Sequence, residues 1–318
     1  MGCRHIKVGG AVVEVRIDDS CVSELDRVFD GFLGETGNAD YRLFLHPSTH
    51  AHTTGFSLMP DRHEMVKIRK ILERRFPFTG LASVALPKKR REGGTSTPVA
   101  GAFERVSLKA MEDGSMSLVV APSFMLAVDH ERKTADALLY AGESEGDHAA
   151  AALAIQALYG VMLPEYGAMM LHAAAIDLEG RGILFVGGAD VGKTTLSSRV
   201  SRDRLLSDDG AVCICRNGMV SIAPSPFSQT PVGVARPEDV RLSSLMFLIQ
   251  DETDYLESIR PGEAMVSVLY NHIHFFRFMN PQNARLTFQM IEYIINNIPI
   301  ARLHFSRDFD PTAFFSER

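Results

Sequence analysis

The stretch GGADVGKTTLSS, residues 187–198, holds the residue types and spacing best suited to chemistry. Gly187, then four residues, then Gly192, Lys193 and Thr194 complete the pattern G-x-x-x-x-G-K-[ST] of a phosphate-binding loop. Glycines let backbone N–H groups close around a phosphate chain, and a following helix adds its positive end. The expected nucleotide-binding set is Gly187, Gly188, Ala189, Asp190, Val191, Gly192, Lys193, Thr194 and Thr195. Lys193 would reach the β and γ phosphates, and the Thr194 hydroxyl would bind Mg²⁺. Asp190 is unusual, because a carboxylate near phosphates is unfavourable unless it points outward. Asp208 and Asp209 follow after about one helix and one strand. One carboxylate can sit on the metal side, and the other can accept a proton from an attacking hydroxyl. Adjacent residues of a strand point to opposite faces, so the two are expected to do different work. A surface Asp-Asp-Gly turn is the competing reading. His172, upstream among apolar residues, reads by itself as a core histidine.

These residues need a strand before the loop and a helix after it. GILFV, 182–186, is a short β-prone run, and TTLSSRVSR, 194–202, can start a helix. Before them MLHAAAID reads as a strand and LEGRG as a tight turn, so a β-hairpin is expected to lead into the loop. IKVGGAVVEVRI, 6–17, alternates as one or two strands. SELDRVFDGFL, 23–33, has helical spacing capped by Ser23, YRLFLH, 41–46, reads as a strand, and 62–76 as an amphipathic helix. PKKRREGGTSTP, 87–98, is a loop or linker. Residues 103–140 look like a run of strands, FERVSLKAM, SMSLVVAP, FMLAVDH and TADALLYAG, and 146–167 like an Ala-rich helix capped by Asp147. The division expected is a mixed α+β region over 1–145 and an α/β region over 146–318.

The order LHAAAID, glycine turn, GILFVGGADVGKTT and LLSDDG resembles the catalytic domain of HPr kinase/phosphorylase, a family related to phosphoenolpyruvate carboxykinase. SPFSQTPVG, the segment 241–269 and IPIARLHF are similar to divergent HPr-kinase-like proteins found in gene clusters for modified peptides. The resemblance covers roughly 165–305. It implies an α/β P-loop kinase domain of the HPr kinase/phosphoenolpyruvate carboxykinase type. It also implies ATP and Mg²⁺ as cofactors, with Asp209 as general base, Asp208 on the metal side and His172 as an active-site histidine. The downstream Glu and glycine-rich sequence of the bifunctional enzymes are not found in 218–240, Ala173 follows His172 where Gly is usual, and Asp190 departs as well. Phosphorylase activity and HPr as substrate are therefore not expected. Arg236 and Arg260 are candidates for stabilising transition-state charge.

The bulk numbers narrow the field. A chain of 318 residues with 46% hydrophobic and 23% charged residues suits a globular protein of two domains. A net charge of -6 gives no sign of a nucleic-acid binder, and no apolar run reaches the roughly 18 residues of a membrane helix. The N-terminus has no secretory pattern, so a cytoplasmic location is expected. Four cysteines do not make a disulfide framework, and Cys213 and Cys215 read as packing. His46, His50, His52 and His63 read as loop residues, His272 and His274 as packing or an element end, and Lys88 to Arg91 as a solvated loop or a dock for an acidic partner. Two functions are expected to compete. One is a kinase acting on a hydroxyl, such as a serine of a peptide or protein. The other is a nucleotide-binding but non-catalytic partner or scaffold in a peptide-modification system. A small-metabolite acceptor is a third, and the oligomeric state is open, a homo-oligomer included.

Overall fold

A computed structural model describes residues 2–17, 22–34, 37–46, 114–121, 123–139, 147–188, 191–227 and 238–316. The fold is α/β, with two mixed sheets and several helices. The chain divides into two compact units. The first takes Met1–Lys7, Ala11–Met162 and Phe275–Asn283; the second takes Val8–Gly10, Leu163–His274 and Ala284–Arg318. No helix among the described residues is long and apolar enough to cross a membrane.

The first unit contains β1 (Gly2–Val8), β2 (Ala11–Ile17), α1 (Val22–Val28), β3 (Tyr41–His46), β4 (Met116–Val120), β5 (Phe124–Asp129), β6 (Thr134–Leu139) and α2 (Asp147–Met162). Its sheet runs β1-β2-β3-β6-β5-β4. β3 is parallel to β2 and β6, and β4–β5–β6 is an antiparallel meander. The expected strand at 41–46 and the last three of the expected run are present; FERVSLKAM and the helix at 62–76 lie outside the described residues, as do His50, His52, His63 and Lys88 to Arg91. α2 buries Ala150, Ala151, Ala154 and Ala157 completely or nearly so, and these small side chains let it sit close on β5 and β6. It gives way at Pro164, which has no N–H to continue the ladder, to a 3-10 turn over Leu163–Tyr166. His130 shows what a satisfied core histidine looks like here: Nδ1 lies 3.0 Å from the Tyr41 hydroxyl and Nε2 2.9 Å from Ser117 Oγ.

The second unit contains β7 (Ala168–Leu178), β8 (Arg181–Val186), α3 (Lys193–Ser197), β9 (Leu205–Ser207), β10 (Gly210–Arg216), β11 (Met219–Ala223), β12 (Val240–Gln250), β13 (Tyr255–Ser258), α4 (Pro261–Asn271), α5 (Pro281–Asn297, which starts at the end of the first unit), β14 (Ile300–Phe305) and α6 (Pro311–Ser316). The sheet order is β11-β10-β7-β8-β12-β14-β13, with β9 added to β7. β11 also pairs with β12, so β11, β10, β7, β8 and β12 form a closed circuit. β12 is parallel to both β8 and β14, while β7 and β8 form the expected antiparallel hairpin. Its two-residue turn, Glu179-Gly180, has φ of 56° and 83°, as a tight hairpin turn requires, and the Gly180 N–H donates to Asp177 Oδ1 at 2.7 Å.

Successive residues of the central strands feed two cores. Ala173, Ala175, Leu184, Val186, Leu245 and Phe247 go to one, with Met290, Ile291 and Ile294 of α5. Ala174, Ile176, Ile183, Phe185, Met246 and Leu248 go to the other, with Phe309 and Phe315. A strand covered on both faces must be apolar throughout, which explains the unbroken runs in this half of the sequence. Cys213 and Cys215 lie against the first of these cores as free thiols, and burial pushes the Cys215 thiol up to about 11, so neither is poised for redox chemistry.

Candidate functional site

β7 changes partners along its length. Residues 168–172 pair with β10, and from Ala173 onward the strand pairs with β8. His172 stands at this changeover, opposite Gly210. The other side of the same stretch is covered by the segment after α4. Leu171 and Ile273 form an antiparallel bridge, His172 N–H donates to the His272 carbonyl at 2.7 Å, and His274 N–H donates to the Met170 carbonyl at 3.2 Å. Asp208 and Asp209 sit in the bend between β9 and β10, not within a strand as expected, because β9 ends at Ser207. The Asp209 carbonyl accepts the Ala173 N–H at 2.8 Å, which fixes the bend against β7.

Three backbone hydrogen bonds thus bring together side chains far apart in sequence. His172 Nδ1 lies 2.8 Å from Asp209 Oδ1. The His274 ring meets the His172 ring edge-on, with centroids 5.2 Å apart. One donor atom from each of His172, Asp209 and His274 falls within 4.8 Å of the others. His272 is buried at 4% exposure, and its Nδ1 has no hydrogen-bond partner among the described residues.

Charge follows from this packing. Burial pushes the Asp209 carboxyl up, but the hydrogen bond with His172 and the charges of His172, His274 and Lys193 outweigh it and hold it below the usual carboxylate range. Burial, reinforced by His172 and Lys193, pushes His272 down to about 4. Burial also lowers His274, although Asp209 pulls the other way. Lys193 therefore acts electrostatically on the same cluster as the Asp-His pair.

The loop itself joins β8 to α3. Gly192 adopts φ 102°, a left-handed conformation that suits glycine, directly before Lys193. A Cβ on Gly187 would lie 2.4 Å from Val191 Cγ1, whereas one on Gly188 would meet nothing within 4 Å among the described residues. Lys193 is 7% exposed, and its Nζ donates to the carbonyls of Gly187 at 2.7 Å and Gly188 at 2.9 Å. Thr194 and Thr195 are exposed, and Asp208 is buried at 2%. Ala189, Asp190 and Arg236 lie outside the described residues, and Arg260 is exposed at the start of α4.

The helix after the loop is shorter than the expected 194–202. It ends at Ser197 and continues as i+3 turns, with Arg199 N–H on Leu196 and Val200 N–H on Ser197. Ser197 Oγ and Ser198 Oγ hydrogen-bond back to the carbonyls of Thr194 and Thr195, the competition that makes serine a poor helix interior.

His274 is the site residue that sequence reasoning assigned to packing. Its signal was the alternation His-Ile-His over 272–274, which in an extended segment puts both rings on one side. What the alternation could not give was the bridge to β7.

Residues 147–306 match the family model described as SynChlorMet cassette protein ScmC, a stretch of just over half the chain. The chain belongs to this family. The ScmC match contains His172, the glycine loop, Asp208, Asp209 and His274 together. No curated protein matches the chain.

Proposed function

We propose that the chain is an ATP- and Mg²⁺-dependent kinase that transfers the γ-phosphate to a hydroxyl, such as a serine of a peptide or protein. The observation that carries this reading is the meeting of Asp209 with His172 at 2.8 Å within electrostatic reach of Lys193. A loop for phosphates and a candidate base then serve one site. The loop residues suit the nucleotide: a Cβ on Gly188 would meet nothing within 4 Å among the described residues, and Lys193 is an ammonium already directed at the loop carbonyls. Bound Mg²⁺-ATP would supply the electrophilic phosphoryl group. Lys193 would hold the phosphate charge, with Thr194 and Asp208 as the residues to hold the ion. Asp209 would take the acceptor's proton, and His172 would hold the carboxylate in place. The resemblance to HPr kinase/phosphorylase supports the same assignment, with the second unit as the P-loop kinase domain.

A second reading is a nucleotide-binding partner that performs no transfer. It is favoured by Lys193 being committed to its own loop, which any phosphate must displace. Calorimetry with Mg²⁺-ATP and measurement of ATP turnover test both. The kinase reading expects micromolar binding that Lys193→Ala abolishes, and turnover that Asp209→Asn abolishes with binding intact. Binding without turnover in the presence of candidate peptides favours the partner, and no binding at millimolar ATP sinks both.

A further inference from the structure

We propose that His172, Asp209 and His274 form a binding site for one divalent transition-metal ion of the Zn²⁺ class. The site shares His172 and Asp209 with the kinase reading but does not depend on nucleotide binding. Its donor set is two imidazole nitrogens and a carboxylate oxygen, the mixed N/O set that zinc and its neighbours prefer. Mg²⁺ is a hard ion that takes oxygen ligands, so the set does not suit the ion of the kinase reading. Ligands around a tetrahedral zinc lie roughly 3.3 Å apart, given bonds of about 2.0–2.1 Å. The three donor atoms here lie within 4.8 Å of one another, so side-chain rotation alone can bring them to an ion.

The backbone supports the site independently of any ion. His172 comes from β7, Asp209 from the bend fixed to β7 through Ala173, and His274 from the segment held on the far side of β7 at Met170. Donors pinned to one strand by backbone hydrogen bonds are what a metal centre needs, since an ordered site costs little to assemble on binding. His130 makes the contrast, because both of its ring nitrogens already face hydroxyls, whereas His172 turns its Nδ1 to a carboxylate. An ion at this site would engage the Asp209 oxygen that the kinase reading uses as base, so the ion would suppress transfer.

The test uses Co²⁺ as a spectroscopic probe on the full chain, stripped with a chelator and free of nucleotide. One equivalent should saturate an intense visible band, and Zn²⁺ should displace it. His172→Ala, Asp209→Asn and His274→Ala should each weaken binding at least about tenfold. Circular dichroism and thermal unfolding check that each variant is folded, and His274→Gln serves where His274→Ala is not. The proposal is overturned by a wild-type protein with no saturable band. It is overturned equally by a band that survives in a folded His274 variant, which would place the ion at other histidines. Because no nucleotide is present, a chain that fails to bind ATP can still pass this test.

Discussion

Lys193 Nζ donates a hydrogen bond of 2.7 Å to the carbonyl oxygen of Gly187, the first glycine of its own loop. The lysine therefore stabilises its own loop. Lys193→Met leaves the Gly187 and Gly188 carbonyls without this donor, and a lost charge-assisted bond of this kind costs about 1.5–3 kcal/mol. Urea unfolding should show a loss in that range. Mg²⁺-ATP should raise the melting temperature of the wild type and leave that of the variant unchanged.

Gly187 and Gly188 should separate folding from binding. Gly187→Ala forces a Cβ to 2.4 Å from Val191 and 3.3 Å from Leu248, so it should destabilise by about 1–3 kcal/mol. Gly188→Ala meets no atom within 4 Å among the described residues, so its stability should stay within about 0.5 kcal/mol of the wild type. Its methyl group would take space that the proposed phosphates need, and nucleotide affinity should fall. Equal affinity in calorimetry would show that phosphates do not use that space.

Asp209→Asn keeps the shape of the side chain and removes its charge. A positioned general base contributes about 10²–10⁴-fold, so turnover should drop by that factor while ATP binding persists. The wild-type carboxyl is lowered in the folded protein, chiefly because the bond to His172 and nearby positive charges outweigh burial. A base lowered in this way stays ionised until the pH falls through its folded value. The acidic limb of activity assigned to this residue should therefore lie below about pH 4, the ordinary range for Asp. In Asp209→Asn that limb should disappear from whatever turnover remains.

A second charged cluster links stability to pH. His304 Nδ1 lies 2.8 Å from Asp251 Oδ2, and its Nε2 lies 3.0 Å from Glu257 Oε2. The hydrogen bond to Glu257 is the main cause that raises His304; the bond to His304 is the main cause that lowers both Asp251 and Glu257. The raised histidine contributes fully below its unfolded value, about 6.5, and loses its effect as pH rises through the folded value. The lowered carboxylates contribute above their unfolded values, about 4, and lose theirs as pH falls. Both effects coexist between about pH 4.5 and 6.5, so His304→Gln should lower the melting temperature more at pH 5.5 than at pH 9. An equal loss at both values would show that the ring matters only by packing.

The glycine loop, the hairpin before it and the strands 41–46 and 182–186 were legible because their signals are local: turn residues, alternation and spacing. The length of α3 was not, because five of the nine positions of 194–202 are Ser or Thr, and Ser197 and Ser198 compete for the backbone. His172 and Asp209 were assigned to one site only through a family resemblance, their direct pairing was not foreseen, and the arrival of His274 was not reached at all. That placement depends on a bend and a segment beyond α4 converging on Met170–Ala173 of β7, and such pairing leaves no local mark in the sequence. His304 escaped notice for the same reason, since Asp251 and Glu257 reach it from a neighbouring strand and loop.

Among the described residues β13 lies at the margin of the second sheet, four residues long and exposed along its whole length. An open margin of this kind invites strands of other molecules to add themselves, which is how many aggregates begin. Here the approach is guarded. Glu257 stands on β13 itself, bonded to Arg302 and His304 of β14, and Arg302 also engages Glu263. An incoming strand would have to strip water from these charges to dock. The shortness of β13 and its electrostatic fence keep this exposed row of peptide groups from becoming a template for the protein's own precipitation.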